Sequence, residues 1–331
     1  MCWKIYIIGT GAIGGLIGSY LVRRYGKDNI SFIEKDEEQI EAIRKNKLRV
    51  LDEGNKLNLE KIDVNIFHPN ELKCELENIL LCTKAYNNHE ALSLIPDTAR
   101  VLVLQNGYDE RLNVLENLTR GIEFGFACKV QEPGFVYNAV RGKYALGKLY
   151  TDSDLDVKYW SNLLGNAGIR TKVSSNIEGF LWSKLLINSA LNPVSAITGY
   201  SFSEIVDDSK SLMLFRELYM EGYPIVKERV NTLGSFITSP RLINLAFKNQ
   251  KLSNLILRKV ASKYGAVESS MLQDVKRGRL TEIDYINGQI IKLGREFNLP
   301  TPLNSQITTL VNMITFRKLP PNPKNIFYII R

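Results

Sequence analysis

The chain has 331 residues, of which 44% are hydrophobic and 24% are charged, and its formal net charge is +8 at pH 7. This length exceeds what one hydrophobic core usually supports, so we expect two domains. No apolar run approaches the roughly 20 residues of a membrane-spanning helix, and the first residues are typical of a strand rather than of a signal peptide. We therefore expect a cytoplasmic protein with no membrane partner.

The excess of positive charge does not predict a nucleic-acid partner, because the basic residues are spread along the chain and no recognition motif accompanies them. The two histidines lie outside any recognisable motif. The four cysteines are too scattered for a zinc site or a small disulfide framework; they are Cys2, Cys74, Cys82 and Cys128. We expect no metal site.

The N-terminal segment predicts a nucleotide-binding turn. A short apolar strand at residues 4–8 leads into Gly9-Thr10-Gly11-Ala12-Ile13-Gly14-Gly15, and a helical pattern follows. In such units the first glycine permits a tight turn, the second lets the backbone approach a pyrophosphate, and the third lets the helix pack closely on the strand. Backbone N–H groups at the helix start then bind the phosphates. The alternative is a plain strand–helix turn.

The second predicted strand, residues 30–33, ends in Glu34-Lys35-Asp36. Glu34 lies twenty residues after Gly14, where a carboxylate binds the ribose diol of NAD. Lys35 could equally pair with the 2′-phosphate of NADP, and an exposed charged turn would explain both residues without a ligand. The residues alone leave the nucleotide open.

Two further buried strands are predicted at residues 78–83 and 101–104, and they deliver Lys84 and Gln105-Asn106-Gly107 at their carboxyl ends. Ligands of open α/β sheets bind beyond those ends, so Lys84 and Asn106 are candidates for contact with a cofactor or substrate. A solvated cation and a simple turn are the plainer interpretations. Strand-like runs at 124–127, 134–137 and 144–147 are expected to form the closing sheet of this domain.

After Asn176 no β-rich run recurs and the apolar spacing becomes helical. The predicted helices cover residues 180–195, 209–231, 240–249 and 281–297. We therefore predict an α/β fold, with a Rossmann dinucleotide-binding domain over residues 1–174 and an all-α domain over residues 175–331. The apolar tail at 326–330 packs either on the protein itself or on a partner subunit.

The segment from Trp182 to Pro193 places Lys184, Asn188 and Asn192 four residues apart in an otherwise apolar run. On a helix each such step rotates by only ~40°, so the three side chains share one stripe. A cation and two amides are costly to bury unless something polar lies against them. The natural candidate is a small oxyanionic substrate.

Two later motifs, residues 269–274 and 281–288, contain Ser270 and Glu282. Thr281 and Asp284 have the spacing of a capping box, which would put Glu282 in the first turn of a helix. The helix dipole favours a carboxylate there, which would explain Glu282 without a catalytic role. Ser270 could likewise be a surface hydroxyl.

Taken together, these motifs resemble those of the ketopantoate reductases, which reduce 2-dehydropantoate to pantoate on the route to coenzyme A. The resemblance covers nearly the whole chain. It implies that Lys184 donates the proton to the ketone oxygen, that Asn188 and Asn192 bind substrate, and that Ser270 binds the carboxylate end of the substrate. It also implies a Rossmann domain and a helical domain with the active site in the cleft between them, and often a homodimer.

The resemblance further implies that Glu282 lies on the cofactor side near the lysine, that Lys84 and Asn106 contact the dinucleotide, and that the cofactor is NADP(H). One departure leaves NAD(H) possible: Lys35 stands where the family usually has an arginine for the 2′-phosphate, and Glu34 precedes it. The alternative function is a D-2-hydroxyacid dehydrogenase of the same family that acts on another branched 2-keto acid. A non-catalytic nucleotide sensor would have no reason to keep Lys184, Glu282 and Ser270 together.

Overall fold

The structure is a computed structural model that describes residues 4–149, 155–235, 239–264 and 268–329. The chain divides into two compact units, which we call the sheet unit (Met1–Gln105 with Asp109–Ile177) and the helical unit (Asn106–Tyr108 with Glu178–Arg331). The α/β fold class predicted from the sequence is confirmed. The predictions for Cys2 and for Ile330 fall outside the described residues.

Among the described residues, the strands all lie before residue 174. They are β1 (Ile5–Ile8), β2 (Ile30–Ile33), β3 (Leu48–Asp52), β4 (Leu57–Ile62), β5 (Asn65–Phe67), β6 (Asn78–Leu81), β7 (Arg100–Val103), β8 (Leu118–Phe124), β9 (Cys128–Glu132), β10 (Phe135–Asn138), β11 (Lys143–Gly147) and β12 (Thr171–Val173). The helices among them are α1 (Ala12–Tyr25), α2 (Glu37–Asn46), α3 (Asn88–Leu92) and α4 (Leu155–Asn166).

The main sheet has eight strands in the order β12-β11-β8-β7-β6-β1-β2-β5, and its neighbours are parallel except for β8 and β11. Its central strands are buried on both faces, as expected of a parallel sheet covered by helices. In β1 the side chains of Ile5 and Ile7 enter one apolar core, and those of Tyr6 and Ile8 enter the other. The parallel arrangement brings the carboxyl ends of β1, β2, β6 and β7 to one edge, where the predicted cofactor residues follow.

A second sheet of four strands, in the order β4-β3-β10-β9, corrects the prediction of a single closing sheet. The predicted run at 144–147 corresponds to β11 and joins the main sheet, whereas the run at 124–127 overlaps β8 only at Phe124. The run at 134–137 corresponds to β10, which pairs in parallel with β3, a strand that the sequence analysis missed. Local apolar spacing indicates that a segment is extended, but it does not indicate which strand that segment pairs with. The partner is decided by packing over long sequence separations.

The helices that follow are α5 (Ile177–Thr198), α6 (Phe202–Asp207), α7 (Ser209–Arg229), α8 (Pro240–Phe247), α9 (Gln250–Tyr264), α10 (Ser270–Lys276), α11 (Ile283–Glu296) and α12 (Pro302–Thr315). The first two predicted helices correspond to α5 and α7, and the other two correspond to α8 and α11. Among the described residues, no helix combines the length and the apolar character that crossing a bilayer requires.

The C-terminal tail packs on its own helical unit. The Asn325 amide donates to the carbonyl oxygen of Ile197 at 2.9 Å, and the backbone N–H of Asn322 donates to the same oxygen at 2.9 Å. Ile326 is buried. Since the last carbonyls of a helix have no partner within it, the tail satisfies one at the end of α5. Ile326 therefore packs on the protein itself, whereas the apolar side chains of Phe327 and Tyr328 are exposed.

A nearly buried ion cluster fastens α4 to the main sheet. The Asp156 carboxylate accepts from Arg100 Nε at 2.6 Å and from Lys148 Nζ at 2.7 Å. Burial alone would raise the pKa of Asp156, but the hydrogen bonds and charges of the two cations outweigh it and hold that pKa below its usual value. The ionised carboxylate is therefore the form that stabilises the fold.

We expect Asp156→Asn to lower the free energy of unfolding at neutral pH by about 1–3 kcal/mol, because two charged hydrogen bonds lose their acceptor charge. A depressed folded-state pKa contributes stability above the unfolded value, near 3.8, and that contribution is lost as the pH falls through the folded value. Denaturant titrations should therefore show the difference from the unmodified protein shrinking below that pH. The exposed Asp97→Asn is the control, and an equal loss in both variants would contradict the interpretation.

Candidate functional site

The glycine turn after β1 has the geometry that its sequence predicts. Gly9 has a positive φ of 94°, a conformation that L side chains rarely adopt. A Cβ on Gly14 would overlap the carbonyl oxygen of Gly9, so this position is closed to any larger residue. Gly11 differs from both, because a Cβ placed there would meet no protein atom within 4 Å. Packing within the chain therefore explains Gly9 and Gly14 but not Gly11.

Two side chains hold the turn at Thr10. The backbone N–H of Thr10 donates to Glu34 Oε2 at 2.7 Å, and the Gln39 amide donates to the Thr10 carbonyl at 2.7 Å. Gln39 in turn accepts from the N–H of Gly134 at 2.9 Å. The Thr10 hydroxyl is buried and has no hydrogen-bond partner among the described residues. Sequence reasoning missed Gln39, since nothing in the local pattern connects it with the turn.

The charged residues after β2 have different surroundings. The other oxygen of Glu34 accepts from the backbone N–H groups of Lys35 at 2.8 Å and Asp36 at 3.1 Å, so its carboxylate lies against the start of the turn. The Lys35 ammonium points to other partners, Glu90 at 2.6 Å and Asn87 at 3.1 Å. The Lys35–Glu90 pair is about half exposed, and such pairs contribute roughly 0–1 kcal/mol. Glu34 is thus the better anchored of the two charges.

A polar network joins the loops after β6 and β7. The Gln105 amide donates to the Thr83 hydroxyl at 2.9 Å and to Asn88 Oδ1 at 2.6 Å. Asn88 is fully buried and donates to Asp109 at 2.8 Å. The network holds the residues that flank two predicted cofactor contacts, the half-buried Lys84 and Asn106. Sequence reasoning did not identify Asn88 or Asp109 as its members.

Two cysteines lie near the glycine turn without forming a reactive site. Burial raises the pKa of the Cys82 thiol and that of the Cys128 thiol, so both are neutral at physiological pH. Cys128 donates to the carbonyl oxygen of Ala12 at 3.2 Å. In the part of the chain that the structure describes, no group of His, Cys, Asp and Glu side chains could hold a metal ion.

In the helical unit, the predicted polar stripe lies on one continuous helix. Lys184 and Asn188 are half-buried on α5, and Asn192 is 6% exposed. The apolar side of the same helix is buried; it includes Trp182, Leu185, Leu186 and Ala190. At four-residue spacing on one helix, the lysine and the two amides face the same direction. The stripe is therefore a polar surface on a helix that is otherwise part of the core.

The start of α11 corrects the predicted capping box. The helix begins at Ile283, and Glu282 occupies the N-cap position without making a capping hydrogen bond. Glu282 is 4% exposed, whereas Asp284 is exposed. The Thr281 hydroxyl, the predicted cap, is buried and has no partner among the described residues. Capping therefore does not explain why a carboxylate is buried at position 282.

The segment Asn106–Tyr108 connects the starts of α5 and α11. The backbone N–H of Tyr108 donates to the Tyr285 carbonyl at 2.9 Å, and the Tyr108 ring lies 5.4 Å from the Trp182 ring. Gly107 has a φ of 73°, and a Cβ there would lie 2.7 Å from the same carbonyl. Trp182 is two residues from Lys184, and Tyr285 is three residues from Glu282.

Of the predicted site residues, the helical unit thus contains Lys184, Asn188, Asn192, Glu282 and Asn106. Ser270 is in this unit too, as the first residue of α10 after the N-cap Ser269. The remaining candidates belong to the sheet unit; they are the glycine turn, Glu34, Lys35 and Lys84.

Comparison with known proteins gives the family. The model "Ketopantoate reductase PanE/ApbA" matches residues 5–150, and the model of the C-terminal part of that family matches residues 176–315. A 2-dehydropantoate 2-reductase of Pyrococcus horikoshii is 33% identical over 93% of this chain and 96% of its own length. One of Archaeoglobus fulgidus is 26% identical with the same two coverages.

Solved structures share the fold. A ternary complex of D-mandelate dehydrogenase with NADH and anilino(oxo)acetate has a TM-score of 0.79 at 23% identity, and covers 95% of this chain and 99% of its own. A PanE/ApbA family ketopantoate reductase from Ralstonia eutropha JMP134 has a TM-score of 0.77 at 24% identity, with the same coverages. The two family models and the archaeal relatives agree with the motifs of both units, and the chain therefore belongs to the ketopantoate reductase family.

Proposed function

We propose that the protein is a 2-dehydropantoate 2-reductase, which reduces ketopantoate to pantoate with Lys184 as the proton donor. The observation that carries this proposal is the polar stripe of α5, where an ammonium and two amides lie on a helix that is otherwise buried. An ammonium group and two amides together offer hydrogen-bond donors and a positive charge, and ketopantoate supplies matching acceptors in its ketone oxygen, carboxylate and hydroxyl. The names of the relatives agree with this substrate.

The residues of the helical unit have complementary roles in this reaction. A bound nicotinamide dinucleotide supplies the hydride that the keto carbon receives. Lys184 gives its proton to the developing alkoxide, and its positive charge stabilises that oxyanion before the proton moves. Asn188, Asn192 and Ser270 hold the substrate by hydrogen bonds. Glu282 contributes a buried carboxylate at the start of α11 on the cofactor side of this proposed site.

The glycine turn fits a dinucleotide on evidence independent of the family. A glycine at position 11 has no explanation in protein packing, but it is explained if a pyrophosphate approaches the backbone there. The first turn of α1 contains no acidic side chain that would oppose an anion.

We infer that NAD(H) is preferred over NADP(H). Glu34 is held by three backbone N–H groups, so its carboxylate cannot swing away without breaking those bonds. It lies where the ribose of a dinucleotide is expected, and its charge would repel a 2′-phosphate. Lys35, the cation that could attract that phosphate, is paired with Glu90. Opening that surface pair costs little, so the inferred preference depends on the repulsion by the fixed Glu34 carboxylate.

We expect NADH to bind at least about tenfold more tightly than NADPH, the factor that one charged hydrogen bond accounts for. Equilibrium titration of nicotinamide fluorescence measures both dissociation constants without turnover. Glu34→Gln should bring the two dissociation constants closer together by improving the affinity for NADPH. Glu90→Gln, which releases Lys35, should improve the affinity for NADPH only a few-fold.

The exposed Glu41→Gln on α2 is the matched control for these two variants, since it removes a carboxylate of the same surface. If NADPH binds more tightly to the unmodified protein, and Lys35→Ala abolishes that preference, Lys35 selects the nucleotide and the inference from Glu34 is wrong.

Substitutions at Gly11 and Gly14 are expected to distinguish an effect on ligand binding from an effect on folding. Gly14→Ala should lower the free energy of unfolding by about 1–3 kcal/mol or more, because the new methyl group overlaps the carbonyl of Gly9. Gly11→Ala should cost less than about 1 kcal/mol of stability, the scale of a changed N-cap residue, but should weaken NADH binding about tenfold or more. Thermal unfolding and fluorescence titration measure the two effects. Unchanged NADH affinity in Gly11→Ala would argue against phosphate contact at the turn.

Steady-state kinetic measurements test the proposed reaction. Nicotinamide oxidation should be faster with ketopantoate than with 2-ketoisocaproate, and Lys184→Ala should lower kcat by roughly 10²–10⁴-fold, the contribution of a general acid. Asn192→Ala should raise KM more than it lowers kcat. The exposed Lys248→Ala is the control for the loss of a lysine in the same unit.

Near-normal turnover in Lys184→Ala would disprove the role of the lysine. Preference for 2-ketoisocaproate would instead support the alternative, a D-2-hydroxyacid dehydrogenase with the same mechanism. The homodimer and the cytoplasmic location stay predictions.

A further inference from the structure

Pro193 leaves a carbonyl group of α5 without its helical partner. In an α-helix the N–H of residue 193 would donate to the carbonyl of Ser189, four residues earlier. Proline has no N–H, and its ring crowds that same carbonyl. Pro193 lies within α5, and both Ser189 and Pro193 are buried. A buried carbonyl without a hydrogen bond is costly, so another donor is needed here.

Asn287 of α11 supplies this donor. Its amide nitrogen lies 2.8 Å from the Ser189 carbonyl oxygen, and the side chain is completely buried. The same nitrogen donates to Asn304 Oδ1 at 2.9 Å, and the Asn304 amide donates to Glu221 at 2.8 Å. Glu221 can only accept, so it fixes the orientation of Asn304. Asn304 in turn fixes that of Asn287.

The bond joins two helices that carry the proposed catalytic groups. Ser189 directly follows Asn188 and lies three residues before Asn192, so its backbone lies between two residues of the polar stripe of α5. Asn287 lies five residues after Glu282 on α11. A change in the separation or rotation of the two helices would therefore move the substrate amides relative to the buried carboxylate.

We propose that Asn287 is a positioning residue, which replaces the hydrogen bond that Pro193 removes and thereby holds α5 in register with α11. The inference rests on the proposed function for its effect on turnover. The compensation between Pro193 and Asn287 concerns only the fold and can be measured without activity.

Asn287→Ala should lower kcat by about 10–100-fold, the scale on which a displacement of about 1 Å affects catalysis. The affinity for NADH should change less than kcat does, because the glycine turn, Glu34 and Lys84 belong to the sheet unit. Asn304→Ala is the intermediate variant: it removes the acceptor that orients Asn287 but keeps the Asn287 amide that bonds Ser189. It should lower kcat by less than Asn287→Ala does.

The decisive experiment is a double-mutant cycle with Pro193→Ala. Alanine restores the backbone N–H at position 193, so Asn287→Ala should lower the unfolding midpoint by several degrees in the unmodified protein and by much less in the Pro193→Ala background. Equal losses in both backgrounds would overturn the proposed compensation. A stability loss in Asn287→Ala with unchanged kcat would overturn the positioning role.

These outcomes are distinguishable from a failure of the proposed function. If Lys184→Ala retains turnover, the assignment of the proton donor is wrong. The coupling between residues 193 and 287 would still be tested by the unfolding midpoints.

Discussion

The structure of the helical unit depends on α5, a helix that contains polar side chains although most of it is buried in an apolar core. Lys184, Asn188 and Asn192 lie on one side of this helix, and Pro193 interrupts its hydrogen bonds in the same region. The rest of the unit supplies donors for two backbone carbonyl groups of this helix. Asn287 bonds the carbonyl that the proline frees, and the C-terminal tail bonds a carbonyl at the helix end. The cost of leaving buried backbone carbonyl groups without a donor explains both contacts.

The sheet unit meets a different constraint, which is the close approach of backbone to backbone at the glycine turn. Gly9 and Gly14 allow that approach, and Glu34 and Gln39 fix it by bonding both sides of the Thr10 peptide. Glu34 thus has a structural role in the turn as well as a proposed role in nucleotide choice. Three backbone hydrogen bonds hold the carboxylate against the turn, while the neighbouring Lys35 pairs with Glu90 at the surface.

The comparison of sequence and structure shows which patterns are informative. Glycine spacing at the first turn and four-residue spacing on α5 led to the correct local elements, because both depend on neighbours in sequence. The spacing of Thr281 and Asp284 was misleading, since tertiary packing buried Thr281 and moved the N-cap to Glu282. The pairing of β3 with β10 could not be predicted from either segment alone. The family resemblance supplied roles for residues, but no contact for Gln39, Asn88 or Asn287.

The sequence by itself determined the strand–turn–helix unit, the order of α/β and helical parts, and the polar stripe of α5. Each of these depends on backbone geometry over a few residues, where glycine freedom and helical periodicity act directly. Only the tertiary structure decided which charge after β2 lies against the glycine turn and which side chain replaces the hydrogen bond lost at Pro193. Those outcomes join residues from 24 to 98 positions apart, because a buried polar group takes whichever donor or acceptor the folded chain brings within reach.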